Sequence, residues 1–154
     1  MEHNKISNKT ANMTTHAVGA FPRAVTVQKA ASEQGFDWPE IAGVLDKVAE
    51  ELDELRDAVA HKDTSHAYAE LGDLLFAAVS VARFLNANPE TCLHAATTRF
   101  EARMKQVTQI AEKDGISLQS CTPDRLDMLW EQAKALMHQQ LEKDLDKPPG
   151  IHAD

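Results

Sequence analysis

Residues 41–59 read IAGVLDKVAEELDELRDAV, and their apolar members Ile41, Val44, Leu45, Val48, Leu52, Leu55 and Val59 recur with the 3.6-residue period of one long amphipathic helix. Glu50, Glu51 and Glu54 ride beside that stripe. After a polar break at residues 61–65, in which Asp63, Thr64 and Ser65 are candidate N-caps, residues 66–85 read HAYAELGDLLFAAVSVARFL. This second helix is apolar almost all round, as expected of the most buried member of a bundle, yet it carries Glu70 and Asp73. Carboxylates are seldom fully buried unless paired.

The rest of the chain extends the helical pattern. A short helix is expected from near Pro22 to Gln34, with Gly35 as a left-handed stop, followed by a turn at residues 35–39 with two aromatic anchors, Phe36 and Trp38. Asn86 to Pro89 ends the second long helix, and Pro89 with Glu90 opens another that runs to about Lys113, stopped by Asp114 and Gly115. Thr122 caps a last helix in which Leu126, Leu129, Trp130, Ala133, Leu136 and Met137 keep helical spacing. No hairpin signal, phosphate-binding glycine loop or solenoid repeat interrupts this pattern. The fold class is therefore all-α, a bundle of about four to five helices.

Residues 1–18 form a polar tail without apolar period, residues 19–145 one domain, and residues 146–154 a frayed end. The formal net charge of -8 opposes sequence-independent binding to duplex DNA, which needs Lys and Arg to neutralise phosphates. No stretch reaches the roughly 18 apolar residues of a membrane span, and the N-terminal residues lack an apolar signal core. Cys92 and Cys121 belong to no CxxC pattern, so both are expected as buried free thiols of a soluble cytoplasmic protein.

The chemistry is concentrated in the carboxylates. Residues three or four apart on a helix stand about 5–6 Å apart at Cβ, so Glu51 with Glu54, and Glu70 with Asp73, each form a two-pronged clamp. Taken singly, an acidic run on a helix is usually a solvated face. Two such clamps facing each other are different, because like charges about 4 Å apart repel by ~4 kcal/mol at an effective dielectric of 20. A divalent cation is the simplest compensation, and an all-oxygen set suits Mg²⁺, or Mn²⁺ in its place, better than Zn²⁺. A ferritin-like di-iron site would need Glu-x-x-His pairs, which neither cluster contains.

The order EExxE then ExxD, with fifteen residues between Glu54 and Glu70, resembles the MazG-type nucleoside triphosphate pyrophosphohydrolases of the all-α NTP pyrophosphatase superfamily. Residues 35–38 (GFDW), 45–48 (LDKV), 70–77 (ELGDLLFA), 82–85 (ARFL) and 99–103 (RFEAR) resemble successive family blocks in the same order, so the similarity covers about residues 21–140. It implies a bundle completed by dimerisation, with one or more Mg²⁺ held by Glu51, Glu54, Glu70 and Asp73 and with Glu50 beside them either as a group that supports the ligands or as a water activator. It also implies that Lys47, Arg99 and Arg103 contact phosphate, and that a nucleoside triphosphate is cut to monophosphate and pyrophosphate. Trp38 and Trp130 are candidates for the nucleoside pocket, although aromatics at helical spacing are more often core.

Four positions depart from the family pattern. Ser80 and Thr97 stand where Asn is usual, Arg99 where Lys is usual, and Met104 where an aromatic is common. Ser80 lies seven residues after Asp73 on the same helical face, where a hydroxyl reaches less far toward metal or substrate than an amide. Two alternatives follow: a weakened nucleotide-binding sensor, or a non-catalytic helical dimerisation module with a solvated acidic stripe.

Overall fold

A computed structural model describes residues 19–145, with side chains through Gln140; both tails named above lie outside the described residues. Five α-helices and one short 3₁₀ turn make up the described chain: α1 (Ala20–Glu33), α2 (Ile41–Ala60), α3 (Thr64–Phe84), α4 (Pro89–Lys113), the 3₁₀ turn Leu118–Ser120, and α5 (Pro123–Leu145). No strand occurs among the described residues, so the all-α expectation holds.

The helix ends follow local chemistry. Gly35 has φ +85°, the left-handed conformation that costs a glycine nothing, and its N–H closes on Ser32 O at 2.9 Å to stop α1. Between α2 and α3 the Asp63 carboxylate accepts the His66 N–H at 3.0 Å, an N-cap that contributes about 1 kcal/mol. At the start of α4 the capping group is Asn88, whose Oδ1 accepts the N–H groups of Glu90 and Thr91 at 2.9 and 3.1 Å. The cap lies immediately before Pro89, whose missing N–H makes it suited to the first helical position. Thr122 Oγ1 accepts the Arg125 N–H at 3.3 Å, so α5 begins where expected.

The described chain falls into two compact units, residues up to Thr91 and residues from Cys92 onward. In the first unit the three-residue link 61–63 turns the chain back on itself, and α2 packs along α3 as a helical hairpin with α1 laid against α3. Val44, Ala58, Ala77, Val79 and Ala82 are its buried apolar residues. Gln28 ties α1 to α3 by donating Nε2–H to Phe76 O at 2.8 Å. In the second unit Val107 and Ile110 of α4 meet Leu129 and Ala133 of α5, with Ile116, Leu118, Cys121 and Trp130 packed around them. Burying a side chain such as Val44 or Leu129 completely contributes roughly 1.5–3 kcal/mol.

Two expectations are corrected. α3 is not buried all round within one chain: Leu71, Leu75 and Phe76 are 43, 50 and 44% exposed. Cys92 is exposed rather than buried, because the first turns of α4 carry no covering element within their unit; Cys121 is half-buried and, like Cys92, a free thiol.

One long-range ion pair fixes the first unit. Arg83, in the last turn of α3, donates from Nη1 and Nη2 to the two oxygens of Asp37 in the α1–α2 turn, each at 2.7 Å. This fork geometry makes the pair stronger than a point contact, and both side chains are largely shielded. Hydrogen bonding from Arg83 holds the Asp37 carboxyl far below its ordinary value of 3.8, and Asp37 in turn raises the Arg83 guanidinium. A depressed carboxyl stabilises the fold above its unfolded value and stops doing so as pH falls through the folded one. Asp37→Asn should therefore melt several degrees below the wild type at pH 7, and the gap should close as the pH is taken down from about 4, in thermal melts followed by circular dichroism.

Candidate metal centre

Glu51 sits nine residues before the end of α2 and Glu70 six residues after the start of α3, and the hairpin brings them together from opposite helices. Glu51 is 5% exposed and Glu70 8%. Together with the exposed Asp73, one helical turn beyond Glu70, each offers a carboxylate oxygen, and the three lie within 4.8 Å of one another.

Glu54 is not part of that close set, although it was expected as a fourth ligand. It remains within electrostatic reach: partial desolvation first, then the charges of Glu70 and Glu51, push its carboxyl upward. A fourth negative charge costs most where the others are already concentrated, and the exposed Glu54 side chain stands outside.

Each buried carboxylate has one basic partner four residues earlier on its own helix. Lys47 Nζ is 2.6 Å from Glu51 Oε1 and 2.9 Å from Glu50 Oε1. Its ammonium group is raised well above the usual lysine value, chiefly by the hydrogen bond to Glu51 and then by that to Glu50. His66 Nε2 lies 2.7 Å from Glu70 Oε1. Sequence reasoning selected Lys47 and missed His66, although the two share the same i, i+4 spacing to an acidic residue; that shared spacing was the available signal.

The donor set fits a hard divalent cation. Three carboxylates, two of them buried, supply oxygen ligands only, and no Cys contributes. Open coordination positions around such a set suit an ion that retains water or takes phosphate oxygens.

The remaining predicted residues are placed as follows. Glu50 is exposed and held by Lys47. Ser80 is 1% exposed, in the interior of the first unit among Ala77, Val79 and Ala82. The Trp38 ring lies over Gly43 in the first turn of α2, so closely that a Cβ at Gly43 would come within 2.7 Å of its Cδ1. Trp38 thereby anchors the entry to α2. In the second unit, Thr97 Oγ1 donates back to Leu93 O at 3.0 Å, and Arg99 is exposed. Arg103 is half-buried with its guanidinium 5.7 Å from the centre of the Trp130 ring.

Trp130 also meets Phe100, ring centres 5.3 Å apart at 42°, on the wall of a cleft of about 400 Å³. Met104, Val107, Leu118, Leu126 and Asp127 complete that cleft, and all of them belong to the second unit. Apart from Trp130, sequence reasoning did not single out this cleft, because its walls come from two helices and the 3₁₀ turn, and that turn has no periodic signature.

The model of the MazG nucleotide pyrophosphohydrolase domain matches residues 39–113, the span that contains α2, α3 and every candidate carboxylate. The chain belongs to the MazG family. It is 44% identical over 117 residues to the nucleoside triphosphate pyrophosphohydrolase/pyrophosphatase MazG of Thermotoga maritima, covering 76% of this chain and 45% of that protein. It is 37% identical over 119 residues to the nucleoside triphosphate pyrophosphohydrolase of Escherichia coli K12, covering 75% of this chain and 44% of the other. A shorter match, 38% over 66 residues, links it to the uncharacterized protein YabN of Bacillus subtilis, of which it covers 14%. The chain thus spans under half the length of these curated relatives. No helix among the described residues is long and apolar enough to cross a membrane.

Asp73 is the exposed member of the acidic triad, so its neutralisation separates charge repulsion from packing. Asp73→Asn should leave the melting temperature without metal unchanged or raise it by about 2 °C. It should abolish the rise of about 5 °C or more that Mg²⁺ in hundredfold excess over its Kd gives the wild type, read by differential scanning fluorimetry with and without chelator.

Proposed function

We propose that this MazG-family chain is a Mg²⁺-dependent nucleoside triphosphate pyrophosphohydrolase that converts NTP or dNTP to the monophosphate and pyrophosphate, with Mn²⁺ able to replace Mg²⁺. The observation that carries this reading is the convergence of Glu51, Glu70 and Asp73 within 4.8 Å in a chain whose relatives bear that activity in their names. Glu51, Glu70 and Asp73 are the proposed ligands, with Glu54 joining them when the metal lowers the cost of a fourth charge. The bound cation would supply Lewis-acid stabilisation of phosphate oxygens and lower the pKa of a coordinated water.

The chain's own residues do the rest. Water attacks one phosphorus of the α,β-anhydride, the bridging P–O bond breaks, and Glu50 accepts the water's proton. Lys47 is already poised between Glu50 and Glu51, and its ammonium group can pass from carboxylate to substrate phosphate as negative charge builds there. Arg99 and Arg103, four residues apart on α4, are proposed as further phosphate contacts. Trp38 and Trp130 are proposed as contacts of the nucleoside, since an aromatic side chain offers a flat apolar surface for a base. Ser80 and Thr97 are proposed to influence the substrate only indirectly, Ser80 by packing and Thr97 by its bond to Leu93 O.

A homodimer is part of the proposal, in the cytoplasm and without nucleic-acid or membrane partners. What supports pairing is the apolar surface left on α2 and α3, where Leu45, Val59 and Leu75 are 50, 62 and 50% exposed. Large apolar side chains left exposed on two neighbouring helices are what an association surface would cover. Leu75→Asp should shift the protein to the monomer in sedimentation velocity, and an unchanged sedimentation coefficient would count against the pairing.

The activity is tested with a panel of ribo- and deoxyribonucleoside triphosphates and Mg²⁺, scoring monophosphate and pyrophosphate. Glu70→Gln should lower kcat/KM by more than about 100-fold, as expected when a ligand of the reacting centre is lost. Orthophosphate as the product would refute the reaction class. Nucleotide binding without turnover would favour the sensor reading.

A further inference from the structure

The chemistry proposed above employs Lys47 but gives His66 no task, although both stand four residues before a buried carboxylate and touch it. Among the described residues of the first unit, Arg56 and Arg83 are committed to Asp53 and Asp37, and the basic groups in contact with the triad are Lys47 and His66. Because α2 and α3 run in opposite directions, the turn before Glu51 and the turn before Glu70 lie toward opposite ends of the hairpin. At 1.5 Å per residue, the Cα of each basic residue is displaced by about 6 Å along the axis from that of its carboxylate. Lys47 and His66 thus reach the centre from its two ends. Asp73, three residues beyond Glu70, lies toward the end of Lys47, which leaves His66 as the donor at the end nearer the α2–α3 link.

An ionised carboxylate only accepts hydrogen bonds, so His66 meets Glu70 by donating Nε2–H, at 2.7 Å. The two side chains differ in their surroundings, Glu70 being 11% exposed and the imidazole 56%. Exposed i, i+4 pairs are weak, so the imidazole itself is loosely held. Glu70 stripped of its partner, by contrast, is a buried charge without compensation. His66 therefore leaves Glu70 readily only when another cation takes its place on that carboxylate. The displaced ring stays one helical turn away, and rotation about its two side-chain torsions keeps the N–H beside whatever is bound there. A polyphosphate brings charged oxygen acceptors to that position, and hydrogen bonds to charged acceptors are the stronger kind.

We propose that His66 is a substrate-contacting residue, which gives up Glu70 to the divalent cation and turns its Nε2–H to the phosphate chain at the end of the centre opposite Lys47. The inference rests on the nucleotide reading given above and adds one residue to its phosphate contacts. It separates His66 from a group that merely holds Glu70 in place, because the two roles predict opposite effects on the binding of metal alone.

The test compares wild type, His66→Leu and His66→Gln, the last keeping an N–H donor on a side chain of similar reach, with circular dichroism to verify that each is folded. Binding of Mn²⁺ alone is followed by the electron paramagnetic resonance of the free ion. Binding of inorganic tripolyphosphate, titrated as its Mg²⁺ complex, is read by calorimetry and needs no base. His66→Leu should bind Mn²⁺ at least as tightly as wild type, since a competitor for Glu70 is gone, yet bind the tripolyphosphate complex about tenfold more weakly. His66→Gln should recover most of that loss. In spectra of ¹⁵N-histidine-labelled wild type, the His66 Nε2 signal, identified by its absence from His66→Gln, should move when Mn²⁺ is replaced by the diamagnetic Mg²⁺ and again when tripolyphosphate is added.

An unchanged affinity for the tripolyphosphate complex in His66→Leu, with triphosphates still hydrolysed, would overturn this inference and leave the proposed activity standing. A tenfold loss of Mn²⁺ affinity in His66→Leu would also overturn it, by showing that the imidazole only holds Glu70. Tripolyphosphate binding that depends on His66, without hydrolysis of any nucleoside triphosphate, would support the inference and refute the activity. A wild type that binds neither Mn²⁺ nor the complex would overturn both.

Discussion

Two carboxylates buried at the seam of a helical hairpin are the constraint on which the first unit depends. Glu51 and Glu70 approach from opposite helices with only 5 and 8% of their surfaces exposed, and burial of charge is costly unless it is answered. The answer comes from each helix separately, because Lys47 and His66 stand one turn before the carboxylates they meet. This arrangement keeps the cost of closure local. Any cation that entered between the helices would compete with those basic side chains for the same oxygens.

The register of the hairpin decides whether the carboxylates meet at all. Displacing α3 by one residue along α2 would rotate Glu70 by about 100° away from Glu51. The hairpin is pinned at both ends against such a slip. At one end the Asp63 cap and three-residue link leave little slack; at the other, the Asp37–Arg83 fork ties the entry of α2 to the exit of α3. Glu70 lies between these pins, roughly 20 Å along the helix from Arg83 at 1.5 Å per residue.

How much of this was legible in the sequence follows from the range of the interactions. The period of residues 41–59, the polar break at 61–65 with its candidate caps, and the cap at Thr122 are local signals; α2 and α5 lie where those signals put them, and α3 starts inside the break, capped by Asp63. The acidic pairs were legible for the same reason, since helical spacing alone places their members on one face. The separation of Glu54 from the other three carboxylates was not, because it depends on how charge is shared across two helices. The Asp37–Arg83 fork was invisible as a pair: its members are 46 residues apart, and each has an unremarkable local context. Helix α3 was expected to be the most buried member of a bundle because its composition is apolar, yet composition does not say whether the same chain supplies the cover.

The GFDW turn shows how closely one short segment can be committed to packing. Trp38 was a natural candidate for stacking on a base, but its ring covers Gly43, where any larger residue would collide with it. Its neighbour Asp37 is committed to Arg83, and the Asp37 carboxylate also receives the Trp38 N–H at 2.9 Å. Both side chains thus serve the same end of the hairpin, and Gly43 is small because the indole occupies the space a side chain would need. Trp130 instead borders a cleft, with Phe100 and the Arg103 guanidinium against its ring. An indole that seals a helix entry and one that borders a cavity are indistinguishable by type, and only their neighbours, Gly43 in one case and Phe100 with Asp127 in the other, separate an anchor from a candidate ligand surface.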